Sequence, residues 1–296
     1  MFHALLVPID GSPFSERALT LAVPIAQQHG ASIVLTMAHP LPSTTDGVAG
    51  MTIRNPVAER DVRQHLRQQL ERVARRIATK YRVTTSTQFR EGPIVDEIEQ
   101  AAADAEADLI VLTTHGRGGL SRVWLGSVTD ALLRRATRPV LITRTARKWS
   151  LITANEPVFP RIIVALDGSP NSERALADTL RLVGDSPGHL VLVRAEDAAV
   201  ASLTNTWVAE TIRALQADYL EPIAATHRTR SLQITTRAIV QSDAARAILD
   251  VAKEENAFLI AVATHGRTGF RRALLGSVAD KVIRGASVPV LVCPAS

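Results

Sequence analysis

One cysteine, few aromatic residues and no long apolar run are what this sequence is short of, and each shortage excludes something. With Cys293 as its single cysteine, the chain can form no internal disulfide, and such usage fits a reducing cytoplasm. Cys293 closes the apolar run 290–293, where a thiol reads as a small buried hydrophobe rather than a reactive group. Aromatic residues make up 4%, too few to supply a row of stacking platforms for nucleic acid. No apolar run approaches the roughly 18 residues of a transmembrane helix, so no membrane partner is expected. Residues 1–10 carry neither a basic leader nor a cleavage site, and no export signal is expected. A Gly-rich loop ending in Lys-Ser/Thr is missing, as are a His/Asp/Glu cluster at metal-ligand spacing and a His-x-Gly-His signature. P-loop hydrolysis, zinc chemistry and nucleotidyl transfer of that kind are therefore set aside.

What is present describes a globular protein. The chain has 296 residues, 46% of them hydrophobic and 21% charged, enough for two domains at about 150 residues each. The net charge of +5 is modest. Arg63, Arg67, Arg75 and Arg76 lie on one long helical stretch together with Glu59, Asp61 and Glu71. That mixture reads as a solvated face, and no nucleic-acid partner is expected.

The chain repeats itself. Residues 6–19, Leu-Val-Pro-Ile-Asp-Gly-Ser-Pro-Phe-Ser-Glu-Arg-Ala-Leu, match residues 164–176, Val-Ala-Leu-Asp-Gly-Ser-Pro-Asn-Ser-Glu-Arg-Ala-Leu. Asp10 corresponds to Asp167, an offset of 157, while Gly116 corresponds to Gly266, an offset of 150. The second copy is thus seven residues shorter between these landmarks, and the loss is expected after the second strand, where residues 39–50 face only 196–202. A period this long is a duplicated domain rather than a solenoid. The expected division is 1–146, a linker at 147–159, and 160–296.

Within each copy, short apolar strands alternate with amphipathic helices. Strands are expected at 4–9, 33–38, 84–89, 109–112 and 140–143, and again at 162–166, 190–193, 232–238, 258–262 and 290–292. Ser12 and Pro13 are expected to open the first helix, as cap and first helical residue. Val62, Leu66, Leu70, Val73 and Ile77 form one stripe along a helix at 56–80, a pattern that buries one face. Alternating β and α elements predict α/β domains with doubly wound parallel sheets, which bind ligands at the carboxyl ends of their strands.

Three features of each copy converge on that edge. Asp10 or Asp167 ends the first strand, able to accept from sugar hydroxyls or an exocyclic amine, or simply to shape the Asp-Gly-Ser turn. Gly116 or Gly266 follows the fourth strand, where a missing side chain lets backbone approach a phosphate. Gly126-Ser127-Val128 or Gly276-Ser277-Val278 opens the next helix; its serine is expected to cap that helix, and its amides to meet an anion at the positive end of the dipole. His115 and His265 are read as packing or loop hydrogen-bonding residues, Arg117 and Arg267 as solvent-facing.

Both copies resemble the universal stress protein family, whose loop reads Gly-x2-Gly-x9-Gly-Ser/Thr; the Asp-Gly-Ser turns and the closing Pro-Val-Leu strands, 139–141 and 289–291, are similar too. The resemblance implies two five-stranded sheets of order 3-2-1-4-5, related by an internal pseudo-twofold, with the final strands pairing domains within or between chains. It implies ATP or another adenine nucleotide, with or without Mg2+, over each loop and near Asp10 or Asp167. The first glycine of the pattern is replaced by Thr113 in one copy and Ala263 in the other. The second copy is accordingly expected to bind more tightly. The function expected is a cytoplasmic stress sensor or regulator, with at most slow ATP hydrolysis and with a protein partner or a homodimer. The alternative is a nucleotide-free interaction module of the same fold.

Overall fold

The computed structural model describes residues 1–40, 56–114, 125–143, 157–197, 206–265 and 275–295. The first half runs β1 (Ala4–Pro8), a 3-10 turn (Ser15–Ala18), α1 (Leu19–His29), β2 (Ser32–His39), α2 (Pro56–Tyr81), β3 (Thr85–Glu91), α3 (Ile94–Asp104), β4 (Leu109–Thr113), α4 (Ser127–Arg135) and β5 (Val140–Thr143). The second half repeats it as β6 (Arg161–Ala165), α5 (Pro170–Val183), β7 (Gly188–Asp197), α6 (Thr206–His227), β8 (Leu232–Gln241), α7 (Ala244–Glu254), β9 (Leu259–Ala263), α8 (Ser277–Gly285) and β10 (Val290–Cys293). The order within each half is 3-2-1-4-5, and all pairs within a half are parallel.

The two sheets are fused into one of ten strands through an antiparallel pair, β5 with β10. Its register places Leu141 opposite Leu291, with Val140 opposite Val292 and Ile142 opposite Val290. Leu141 and Leu291 are equivalent residues of the repeat, so the pseudo-twofold passes between them. Each half has thereby covered the edge strand that the other would have left open to foreign pairing.

Strands buried on both faces need apolar residues at successive positions, and β1 supplies them. Leu5 and Val7 join the core under α1, α2, α5 and α6, while Leu6 joins the core under α3, α4, α7 and α8. The stripe of α2 does its work from Leu66 onward: Leu70, Val73 and Ile77 are buried, whereas Val62 is 49% exposed. Of the expected linker, Val158 and Phe159 are buried in the first of these cores.

Polar contacts lock the halves together on both faces. On one, Gln28 donates to the carbonyls of Leu182 and Val183 at 3.1 and 2.9 Å, and His29 Nε2 lies 3.0 Å from the Leu182 carbonyl. These are terminal carbonyls of α5, which need partners from outside the helix. Arg181 adds a 2.8 Å bond to Asp108, whose other oxygen accepts from the amides of His3 and Ala4. On the opposite face, Arg284 of α8 reaches Asp130 of α4 at 3.9 Å.

The start of the first helix departs from expectation. In the second half Ser169 caps α5, accepting from the Ser172 amide, and Pro170 is its first residue. In the first half Ser12 Oγ accepts from Ser15 in the same way, but the chain makes a 3-10 turn and turns α-helical only at Leu19. The carbonyl of Phe14 is responsible. It accepts from the Arg17 amide at 3.1 Å and from the Thr113 hydroxyl at 3.2 Å, which ties the first turn to the end of β4.

Candidate functional site

Each half has a cavity at the carboxyl ends of its central strands, and the two are built alike. In the second half it measures 380 Å³ and is bordered by Asp167, Ala263, Thr264, Gly276, Ser277 and Val278. In the first half it measures 270 Å³ and is bordered by Asp10, Thr113, Thr114, Gly126, Ser127 and Val128. The floor is apolar, from Ile94 and Ile98 in one and Ala244 and Ile248 in the other.

The aspartates first serve their own turns. Asp10 Oδ1 accepts from the Ser12 amide at 2.9 Å; Asp167 Oδ1 accepts from the Ser169 amide at 2.9 Å and from its hydroxyl at 2.6 Å. Such a turn needs a left-handed residue, and Gly11 and Gly168 supply it with φ of 81° and 83°. Gln69 of α2 fastens the first turn further, donating to the Gly11 carbonyl at 2.8 Å.

Gly126 and Gly276 do a different job from the one expected of a phosphate loop alone. Their amides donate to the carbonyls of Thr114 and Thr264 at 3.1 and 2.7 Å, returning the chain from loop to strand end. A Cβ at Gly126 would lie 2.5 Å from the Thr114 oxygen, and one at Gly276 would lie 2.9 Å from that of Thr264. Backbone meets backbone here, so only glycine fits.

Ser127 and Ser277 are not the caps. Gly126 and Gly276 are the N-cap residues, with ψ of 146° and 145°, and so neither cap residue has a side chain to offer. The carbonyls of the glycines already accept the amides of Asp130 and Asp280 at 2.9 Å. Each serine is therefore the first helical residue, one position past the place from which a side chain caps the helix. The first residues of α4 and α8 border the cavities, so the positive ends of both helices face them.

His115, Gly116, Arg117, Gly266 and Arg267 lie outside the described residues. His265 borders the second cavity, with Nδ1 3.1 Å from the Thr264 hydroxyl. Thr264 and its counterpart Thr114 belong to the repeated stretch but have no role in the sequence reading, although both are buried beside the cavities. Thr264 Oγ1 also accepts from the Ala295 amide at 3.0 Å, so the end of the chain is tied to the second site. Identity at the same place in both copies was the signal that could have found them.

Comparison with known families finds the same repeat. Residues 1–144 and 159–294 each match the model of the universal stress protein family. The chain belongs to that family. A universal stress protein of Mycolicibacterium smegmatis is 29% identical over 98% of this chain and 96% of its own length. One of Mycobacterium tuberculosis is 32% identical, over 63% of this chain and 62% of its own. The crystal structure of a universal stress protein from Archaeoglobus fulgidus superposes with a TM-score of 0.69 at 22% identity, covering 99% of this chain and 96% of that one, which shows a shared fold. This tandem universal stress protein thus holds two family domains in one chain, and no helix among its described residues is long and apolar enough to cross a membrane.

Proposed function

We propose that this protein binds ATP or another adenine nucleotide and acts as a sensor or regulator of the stress response rather than as an efficient catalyst. One observation carries the reading: at the same place in both halves, an apolar cavity lies between an aspartate turn and a helix N-terminus whose cap residue is glycine. Purine fits an apolar floor, ribose hydroxyls fit Asp10 or Asp167, and phosphates fit amides at a helix start. Gly116, Gly266, Ser127, Ser277, Val128 and Val278 would complete each cradle. Among the described residues no group of acids and histidines could hold a metal, so any Mg2+ would arrive with the phosphates. We assign the domains to residues 1–146 and 160–296, and the chain to the cytoplasm.

The two sites are unequal in this reading. The second cavity, with Ala263 on its wall, is the larger, while at the wall of the first Thr113 donates to the Phe14 carbonyl. The second domain is the tighter binder; the first is the one to which an interaction role without nucleotide could fall. Mass spectrometry of small molecules released on denaturing the purified protein tests this. Near-stoichiometric adenine nucleotide is expected. A protein that carries none, and that takes up none when titrated with ATP, would leave only the interaction module.

A further inference from the structure

The net charge of this protein resides on one helix. Residues 56–82, which are α2 and the residue after it, hold eight cations against three carboxylates, a net of +5. The whole chain also carries +5, so everything outside this stretch is balanced. The repeat supplies the control. The equivalent stretch of the second half, residues 206–232 with α6, holds Arg213, Arg228 and Arg230 against Glu210, Asp218 and Glu221, a net of zero. The fold is therefore built equally well without the charge, and stability does not account for it.

The structure shows where that charge points. Arg60, Arg67, Arg72, Arg75 and Arg82 are exposed, and no described carboxylate pairs with any of them. By contrast, the acids that reach α2 from its neighbours are engaged: Glu16 by Arg76 and Glu91 by Arg63. With a rise of about 1.5 Å per residue, the row from Arg60 to Arg82 is roughly 30 Å long. It lies along a single helix whose apolar side is already occupied by the core through Leu70, Val73 and Ile77.

Against the expectation of a merely solvated face without a nucleic-acid partner, we propose that the outer face of α2 is a docking surface for the phosphate backbone of duplex nucleic acid. Arginine outnumbers lysine seven to one in the stretch, and its planar fork matches phosphate geometry. A row of guanidinium groups along one exposed helix face can follow the phosphates that border a major groove about 12 Å wide. A bilayer fits less well, because an interfacial helix anchors through an apolar face, and α2 has none to spare. Few aromatics argue for a duplex rather than a single strand. Glu71, exposed in the middle of the row, limits the affinity and favours binding without strong sequence preference.

The experiment measures fluorescence anisotropy of a mixed-sequence DNA duplex of about two helical turns titrated with the full chain at about 50 and 200 mM salt. Saturable binding that weakens at least tenfold at the higher salt is expected. The variant Arg60→Ala/Arg72→Ala/Arg75→Ala should lose at least tenfold, with its far-UV circular dichroism unchanged. A matched variant, Arg213→Ala/Arg230→Ala/Arg246→Ala, removes equal charge from the second half and should bind within twofold of wild type. Equal losses in both variants would show attraction to net charge alone and overturn the assignment to α2. So would absence of binding, or phosphatidylserine vesicles displacing the duplex while phosphatidylcholine vesicles do not. The single change Arg75→Glu reports on the same face should the triple variant unfold.

Discussion

The amide of Gly126 donates to the carbonyl of Thr114 at 3.1 Å, and a side chain at Gly126 would meet that same oxygen at 2.5 Å. The contact is backbone on backbone, in a place where neither partner can turn aside. Gly126→Ala is therefore expected to lower stability by about 1–3 kcal/mol, the usual range for overpacking. Gly276→Ala, with 2.9 Å to spare, should cost less. Denaturant midpoints of the two variants check the order, and a harmless Gly126→Ala would remove the loop-closing role.

Gly285 supplies the contrast. A Cβ there would come within 2.6 Å of Leu249 Cδ1, nearly the same distance but to the tip of a flexible side chain. Alanine is also the better helix former by about 1 kcal/mol. Gly285→Ala is expected to be neutral or stabilising by thermal melt, even though the distance alone would forbid it. A loss comparable to that of Gly126→Ala would mean that Leu249 cannot move.

Exchanging Thr113 and Ala263 tests the inequality of the sites. Thr113→Ala removes the bond to the Phe14 carbonyl and should strengthen ATP binding in the first half severalfold. Ala263→Thr should weaken it in the second. Calorimetric titration of each variant in the full chain reads both effects, and unchanged isotherms would count against the latch.

Acid should loosen the seam between the halves through His29. Burial holds its pKa below the usual 6.5, opposed by its bond to the Leu182 carbonyl and aided by the N-terminal charge and Arg181; Asp108 pulls the other way. Nδ1 accepts from the Phe2 amide at 3.4 Å while Nε2 faces a carbonyl, an arrangement that suits the neutral ring. With the folded pKa depressed, the unfolded state binds the proton more readily. This share of stability is full above about pH 6.5 and is lost as pH falls below it. Denaturant midpoints between about pH 8 and 5 should fall more for wild type than for His29→Gln. Parallel profiles would exclude His29 as the cause.

Repetition made much of this protein legible without coordinates. Asp10 and Asp167, Gly126 and Gly276 stood out because they recur in step, and β4 and β9 because runs such as Leu-Ile-Val-Leu can only be buried strands. The shift in offset from 157 to 150 correctly fell between β2 and α2, since Leu35 and Leu192 still pair in step with β1 and β6, whereas Leu70 and Leu220, buried in one core, are 150 apart. Caps were harder. Gly-Ser before a helix looks like a serine cap, but which residue takes the extended ψ depends on the Thr114 carbonyl that the loop returns to.

Local patterning alone, then, determined the α/β class, the duplication and the edge on which ligands would sit, because burial periodicity and turn chemistry act over a few residues. Three matters were left to the tertiary structure. That β5 and β10 pair within the chain, where the family resemblance left within or between chains open, needs two strands about 150 residues apart to meet. The tie from Thr113 to Phe14 joins positions 99 residues apart, and no spacing rule reaches so far. Whether the arginines of α2 find carboxylates depends on which neighbours the fold packs around them, and that is decided only in three dimensions.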